Sequence, residues 1–176
     1  MRRRFFLHAL ALSLFLGGLS LSGCDDDDEV RTSEGLVSVG DSCPGFTIEG
    51  LTGGSYSFPV SGKPSVLFFF TTTCPDCIQQ FPVVNELYEL YGDRVSFLAV
   101  GRGETVESLA GFLEKNDYGI EAAADGTSEV YGLFARSGVP RVYFMRNDKV
   151  MFLSDDSAPL SLERGIEYIE SLLRFY

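Results

Sequence analysis

Apolar residues in this chain follow two rhythms, and the switches between them lay out a fold. Val66 to Thr71 is apolar at nearly every position, as in a strand covered on both faces, and Val95 to Val100 repeats the pattern. Phe46-Thr47-Ile48 and Ser55-Tyr56-Ser57-Phe58 flank Leu51-Thr52-Gly53-Gly54 and read as a hairpin. Val142 to Met145 and Val150 to Leu153 alternate around Asn147-Asp148 and predict a second strand pair. Glu121 to Ala124 is a short strand candidate. Between these runs the spacing turns helical. A helix is expected from Pro75 to Tyr91, with Ile78, Phe81, Val84, Tyr88 and Tyr91 on one stripe and a kink at Pro82. Thr105 to Asn116 reads as a helix capped by Thr105, with Val106, Leu109 and Leu113 inward. Ser128 to Phe134 is a short helix, and Ser161 to Tyr176 a longer one on Leu162, Ile166, Ile169, Leu173 and Tyr176. The order βαβα, strand pair, helix predicts an α/β layer sandwich over residues 39–176. No internal repeat is visible.

The first residues do not belong to that pattern. Arg2-Arg3-Arg4 precedes an apolar run from Phe5 to Leu21, and Leu21-Ser22-Gly23-Cys24 follows. This order resembles a bacterial lipoprotein leader, residues 1–23, with Cys24 as the lipidated first residue of the mature chain. The alternative is an uncleaved anchor, for which the run is short. Either way the remainder is expected outside the cytoplasm, where disulfides persist. Residues 24–38 read as a tether, with Asp25-Asp26-Asp27-Asp28-Glu29 too charged to pack. That run also loosely resembles a signal carrying lipoproteins to the outer-membrane surface. A periplasm-facing position and the outer surface therefore both stay open.

Charge and composition narrow the chemistry. The chain has 25 acidic and 14 basic residues, a net charge of −11, and three of the arginines lie in the leader. So negative a domain is a poor match to nucleic acid, whose phosphates need basic patches. The one histidine, His8, lies in the leader, and the chain has no tryptophan. Histidine-dependent nucleophiles and histidine–metal sites are therefore absent from the expected domain.

Chemistry concentrates in Thr71-Thr72-Thr73-Cys74-Pro75-Asp76-Cys77, where a buried strand gives way to a helix. Cysteines three apart on a first helical turn have Cβ atoms ~5–6 Å apart, close enough to join with a small adjustment. Cys74 falls at the helix N-terminus, where free N–H groups favour a thiolate. That is equipment for thiol–disulfide exchange. Half a zinc site is the alternative. With Cys24 used elsewhere, Cys43, Cys74 and Cys77 are too few for four cysteine ligands, so no metal is expected. Asp76, between the cysteines, would disfavour a neighbouring thiolate, or else is only a solvated residue at a helix start. Cys43 reads as a small buried apolar residue.

The element order, Cys-Pro-Asp-Cys between the first core strand and its helix, and Gly138-Val139-Pro140 before the strand pair together resemble the thioredoxin superfamily. The hairpin, the Thr105–Asn116 insert and Gly40-Asp41-Ser42-Cys43-Pro44-Gly45-Phe46 resemble its TlpA/ResA-like thiol–disulfide oxidoreductases. The resemblance implies a thioredoxin-like three-layer sandwich: a central mixed sheet flanked by helices, with an N-terminal hairpin and a βα insert. It implies Cys74 as nucleophile, Cys77 as resolving thiol and a cis Val139–Pro140 bond facing them. The redox-active disulfide would be the only cofactor. Partners would be a disulfide-containing protein and an upstream thiol donor, and the Asp76 charge between the cysteines favours the reducing direction. Three places depart from the family. Thr73 stands where tryptophan usually precedes the first cysteine, and Phe68 and Gln80 stand where many members keep a buried acid. Two other functions compete. Thr71-x-x-Cys74 with Arg141 echoes peroxiredoxin-type peroxidases, in which Thr and Arg hold the thiolate, although Leu67 replaces an expected proline. A non-catalytic, surface-tethered binding module is the third.

Overall fold

The structure is a computed structural model that describes residues 34–174. The leader, Cys24, the acidic run and Tyr176 lie outside the described residues. Seven strands and four helices follow one another. They are β1 (Phe46–Glu49), β2 (Ser55–Phe58), β3 (Ser65–Phe70), α1 (Pro75–Tyr91), β4 (Ser96–Arg102), α2 (Val106–Asn116), β5 (Ala122–Asp125), α3 (Glu129–Gly132), β6 (Arg141–Arg146), β7 (Lys149–Asp155) and α4 (Leu162–Leu173). The strands divide into a small sheet and a large one: β1 and β2 form the expected hairpin, and the five-stranded sheet has the order β5-β4-β3-β6-β7. In it β3, β4 and β5 run parallel, and β6 and β7 antiparallel to their neighbours, so the sheet is mixed.

Central β3 explains the continuous apolar run, since all six of its residues are buried. Alternate side chains serve opposite faces. Val66, Phe68 and Phe70 join Phe81, Val84 and Leu87 of α1 and Ile169 and Leu172 of α4. Leu67 and Phe69 join Phe58, Tyr131, Phe134 and Tyr143 beneath. The lower layer is thin: one four-residue helix, the hairpin and the chain entering from residue 34. Helices α1 and α4 approach closely because residue 165 is glycine. A Cβ there would lie 2.5 Å from Leu87 Cδ1.

Two helical stripes are turned from the expected positions. In α1 the buried line is Cys77, Phe81, Val84, Leu87 and Tyr91, while Ile78 is 47% exposed. In α2 only Leu109 is buried and Val106 is 55% exposed. Helix α1 continues through Pro82 to Tyr91.

Residues 34–38, expected within the tether, are docked. Leu36 and Val37 donate to the Phe134 carbonyl at 2.9 and 3.2 Å, Gly35 bridges Ala135, and Val37 is buried. The folded part thus starts before the expected Val39. Beyond it the chain crosses under the sheet. Gly40 donates to the Val150 carbonyl at the β7 edge, and Leu51 donates to the Ala122 carbonyl at the β5 edge. One excursion so covers part of both outer edges.

Candidate active site

Phe70 ends β3 inside the upper core, against Phe81 at 4.7 Å and Phe112 at 5.9 Å between ring centroids. Aromatic pairs of this kind add about 1 kcal/mol each beyond the area they bury. They lock the end of β3 to α1 through Phe81 and to α2 through Phe112, and the segment between β3 and α1 carries the cysteines. Cys74 is the N-cap of α1, with extended backbone, and Pro75 takes the first helical position, where a missing N–H costs nothing. The Cys77 N–H donates to Cys74 Sγ at 3.4 Å, so a thiol does the work usually done by a serine or aspartate cap. Cys74 is half-buried, Cys77 is 1% exposed, and neither is joined in a disulfide here.

Opposite them Val139–Pro140 is cis, as the resemblance implies, and Phe58–Pro59 is a second cis bond that the sequence did not suggest. The Cys74 thiol points at the Val139 carbonyl at 3.6 Å. A half-exposed sulfur and a half-exposed backbone segment thus share one opening. Burial pushes the Cys77 thiol well above its ordinary range. Its hydrogen bond with Cys74 adds to that, a backbone hydrogen bond at Thr71 opposes it, and the charges of Cys74 and Asp76 add a little more. Cys77 therefore keeps its proton in the dithiol state, and Cys74 is the sulfur that a large partner reaches first. Asp76 is exposed and lines a cleft of about 180 Å³ with Gln79, Gln80, Pro140, Pro159 and Leu160. Thr73 and Pro75 are both exposed on the rim.

Two groups near the cysteines carry roles that the sequence did not disclose. Gln80 is 4% exposed. Its amide donates to the Leu160 carbonyl at 3.0 Å and accepts from the Leu160 N–H at 2.8 Å. It imitates a strand and ties α1 to the loop before α4. The other is Glu104, a buried carboxylate after β4. It accepts from the Thr72 N–H at 2.7 Å, the Thr72 hydroxyl at 2.8 Å and the Ser108 hydroxyl at 2.6 Å. Burial alone would raise its pKa, but those three hydrogen bonds outweigh burial and hold the carboxyl below its usual value. Glu104 so fastens the backbone two residues before the nucleophile candidate. Its signal in the sequence was Gly101-Arg102-Gly103: a Cβ at residue 101 would lie 2.9 Å from Glu104 Cγ, and Gly103 has φ +66°.

Arg141 is not where the peroxidase alternative requires it. Val142 packs in the cluster that holds Cys77, whereas Tyr143 packs in the lower one. Strand alternation puts Arg141 on the lower face with Tyr143. Its guanidinium donates to the Gly138 carbonyl at 3.0 Å and the Ser137 carbonyl at 3.2 Å, and its nearest carboxylate is Asp155 at 3.8 Å. It does not hold the Cys74 sulfur. Cys43, buried on the same lower face, donates to the Pro44 carbonyl at 3.4 Å.

A mixed sheet whose central strand delivers a cysteine pair to a helix start, facing a cis-proline loop, defines a thioredoxin-like thiol protein. Residues 39–151 match the AhpC/TSA family, and the chain belongs to that family. Among curated proteins it is similar to the thiol-disulfide oxidoreductase ResA of Geobacillus kaustophilus, 27% identical over 143 residues covering 79% of this chain and 82% of the relative. It is similar also to a ResA of Bacillus cereus, 25% identical over 114 residues, 64% of this chain and 66% of the relative. The structure of StoA from Bacillus subtilis superposes with a TM-score of 0.64 at 18% identity, covering 72% of this chain and 96% of that one. That of peroxidoxin BcpB from Mycobacterium tuberculosis does so at 0.63 and 18%, covering 79% and 97%. Both likenesses speak to the fold alone. Oxidoreductases and peroxidases share it, so the site must choose between them.

Proposed function

We propose that this chain is a thiol–disulfide oxidoreductase that exchanges disulfides with partner proteins through Cys74 and Cys77. The pair's geometry carries the reading: a half-exposed Cys74 sulfur at a helix N-cap, with a buried Cys77 thiol one turn behind it. In the forward reaction the Cys74 thiolate attacks one sulfur of a partner disulfide and expels the other as a thiolate, which takes up a proton. The Cys77 thiol then gives up its proton, attacks Cys74 Sγ and releases the partner's second sulfur. The partner gains two electrons and the pair becomes a disulfide, which an upstream dithiol protein re-reduces. Arg141 counts against the peroxidase reading, since its guanidinium is occupied on the other face of the sheet. A lipid on Cys24 would hold the domain at the cell envelope. No described helix is long and apolar enough to cross a membrane.

Reduction of insulin disulfides, measured beside peroxide turnover, tests the reading. Wild type is expected to reduce insulin and to leave peroxide largely untouched. Cys74→Ser abolishes reduction, while Cys77→Ser accumulates mixed disulfides with partners, which mass spectrometry then identifies. Peroxide consumption without insulin reduction would install the peroxidase instead. Inactivity in both assays, with the pair permanently oxidised in cells, would leave a binding module.

A further inference from the structure

Arg141 takes no part in the exchange reaction, yet it is the largest fully buried side chain among the described residues. A buried cation persists only where hydrogen bonds replace its water. Here the acceptors are mainly two consecutive backbone carbonyls, Ser137 and Gly138, directly before Val139–Pro140. The Gly138 carbonyl is held twice, since the Tyr131 hydroxyl also donates to it at 2.9 Å. Tyr131 is itself fixed. Its N–H donates to the buried Asp125 carboxylate at 2.8 Å, and the Arg102 guanidinium lies 4.3 Å from its ring centroid. Gly138, at φ +85°, turns the chain at that point. The next carbonyl, Val139, is the one that meets the Cys74 thiol.

Against the guanidinium lies the entering chain. The Glu34 carbonyl accepts from the Arg136 N–H at 2.8 Å, and the Glu34 N–H donates to the Ser137 hydroxyl at 3.0 Å. Gly35 passes so close that a Cβ there would lie 3.0 Å from Arg141 Nη1. The chain's entry into the domain thus rests on the same loop that faces the cysteines.

We propose that Arg141, backed by Glu34 and Gly35, is a positioning residue: it holds Ser137 and Gly138 so that the Val139 backbone is presented to Cys74 and to a partner. The partner half of this statement rests on the oxidoreductase reading; the Cys74 half does not. Arg141→Met, Arg141→Lys and Gly35→Val test it. Gly35 is exposed, so that variant reaches Arg141 without disturbing the core. Two quantities are read: KM and kcat for insulin reduction, and the rate at which iodoacetamide alkylates Cys74 at fixed pH. In Arg141→Met, KM rises about tenfold with kcat within about threefold, because the docking backbone is misplaced while the sulfurs are not. Alkylation becomes about threefold faster, because the Cys74 thiol loses its carbonyl partner and is less shielded. Arg141→Lys, which reaches one carbonyl, recovers part of both effects, and Gly35→Val moves both in the same direction by less. If wild type fails to reduce insulin, the oxidoreductase reading falls, and alkylation alone still reports on Arg141. If folded Arg141→Lys and Gly35→Val lose thermal stability but keep wild-type KM and alkylation rates, Arg141 is packing and the proposal is overturned.

Discussion

Glu104 and Cys43 are both buried groups that titrate, and burial acts on them with opposite outcomes. At Glu104 three donors favour the charged form. A carboxyl held below its ordinary pKa of 4.5 contributes stability that is complete above that value and is lost as pH falls through the folded one. Glu104→Ala should therefore cost about 3 kcal/mol at neutral pH, since it removes hydrogen bonds to a charge and strands the Thr72 N–H. Urea unfolding should show that gap narrowing as pH falls towards about 3, below the ordinary carboxyl value. A gap independent of pH would mean that the loss is packing. Cys43 has no comparable set of donors among the described residues. Burial first, and the nearby Asp148 charge second, push its thiol from 9.0 to about 11. A raised folded pKa contributes stability that is complete below the unfolded value and is lost as pH rises through the folded one. Between pH 9.0 and about 11 wild type should weaken, and Cys43→Ala should weaken less steeply in the same urea titration. The reading of Cys43 as a small buried apolar residue was available from sequence because it needs only composition. Glu104 was not, because its partner Thr72 lies 32 residues away, and the glycines beside it, Gly101 and Gly103, mark a tight spot without naming that partner.

Among the elements, those whose signal is short-range were legible. The strand β3, the α1 and α2 starts and the two-residue turn at Asn147-Asp148 could all be read from pattern and turn chemistry. Thr105 caps α2 as expected, accepting from the Ser108 N–H at 3.2 Å, and Asn147 has φ +55°. Which helical face turns inward was less legible, because Ile78 and Val106 are as apolar as the buried Phe81 and Leu109, and hydrophobicity alone cannot say which of them meets the sheet. Gln80 shows the same limit at a site. Its replacement of an acid reads as a missing proton carrier, but in the fold its two-way bond to Leu160 defines a role of its own. Gln80→Glu should accordingly fail to restore anything. It would set a carboxylate against the Leu160 carbonyl and cost about 2 kcal/mol at neutral pH, recovered in part when acid protonates it. Thermal melts at about pH 7 and about pH 5, either side of a buried carboxyl's expected range, check this. A Gln80→Glu protein of wild-type stability at neutral pH would show that the loop before α4 can give way.

For the molecule as a whole, the sequence disclosed the layer order and the placement of the cysteine pair, since topology follows from element order and from the rule that parallel strands need crossovers. It did not disclose the docked entry at residues 34–38, which has no periodicity and is held chiefly by backbone bonds to residues 134–137. The anchoring expectation belongs to this scale. Intact-mass analysis of protein from its native host should find a chain beginning at Cys24 and carrying lipid, and a mass that retains Met1 would remove the anchor from the proposal. A different kind of consequence comes from the excursion that touches both outer strands of the large sheet, at Val150 and at Ala122. Unpaired strand edges are templates for other chains. Synthesis runs from the N-terminus, so the segment supplying these covers is made before the strands it will protect, and the shield is waiting when β5 and β7 emerge. Proteolytic trimming from the N-terminus past Gly40 would reverse that order of safety. It would leave both cysteines in place, take Glu34 and Gly35 away from Arg141 and bare part of the β7 edge, leaving a domain able to add itself, strand to strand, to its neighbours.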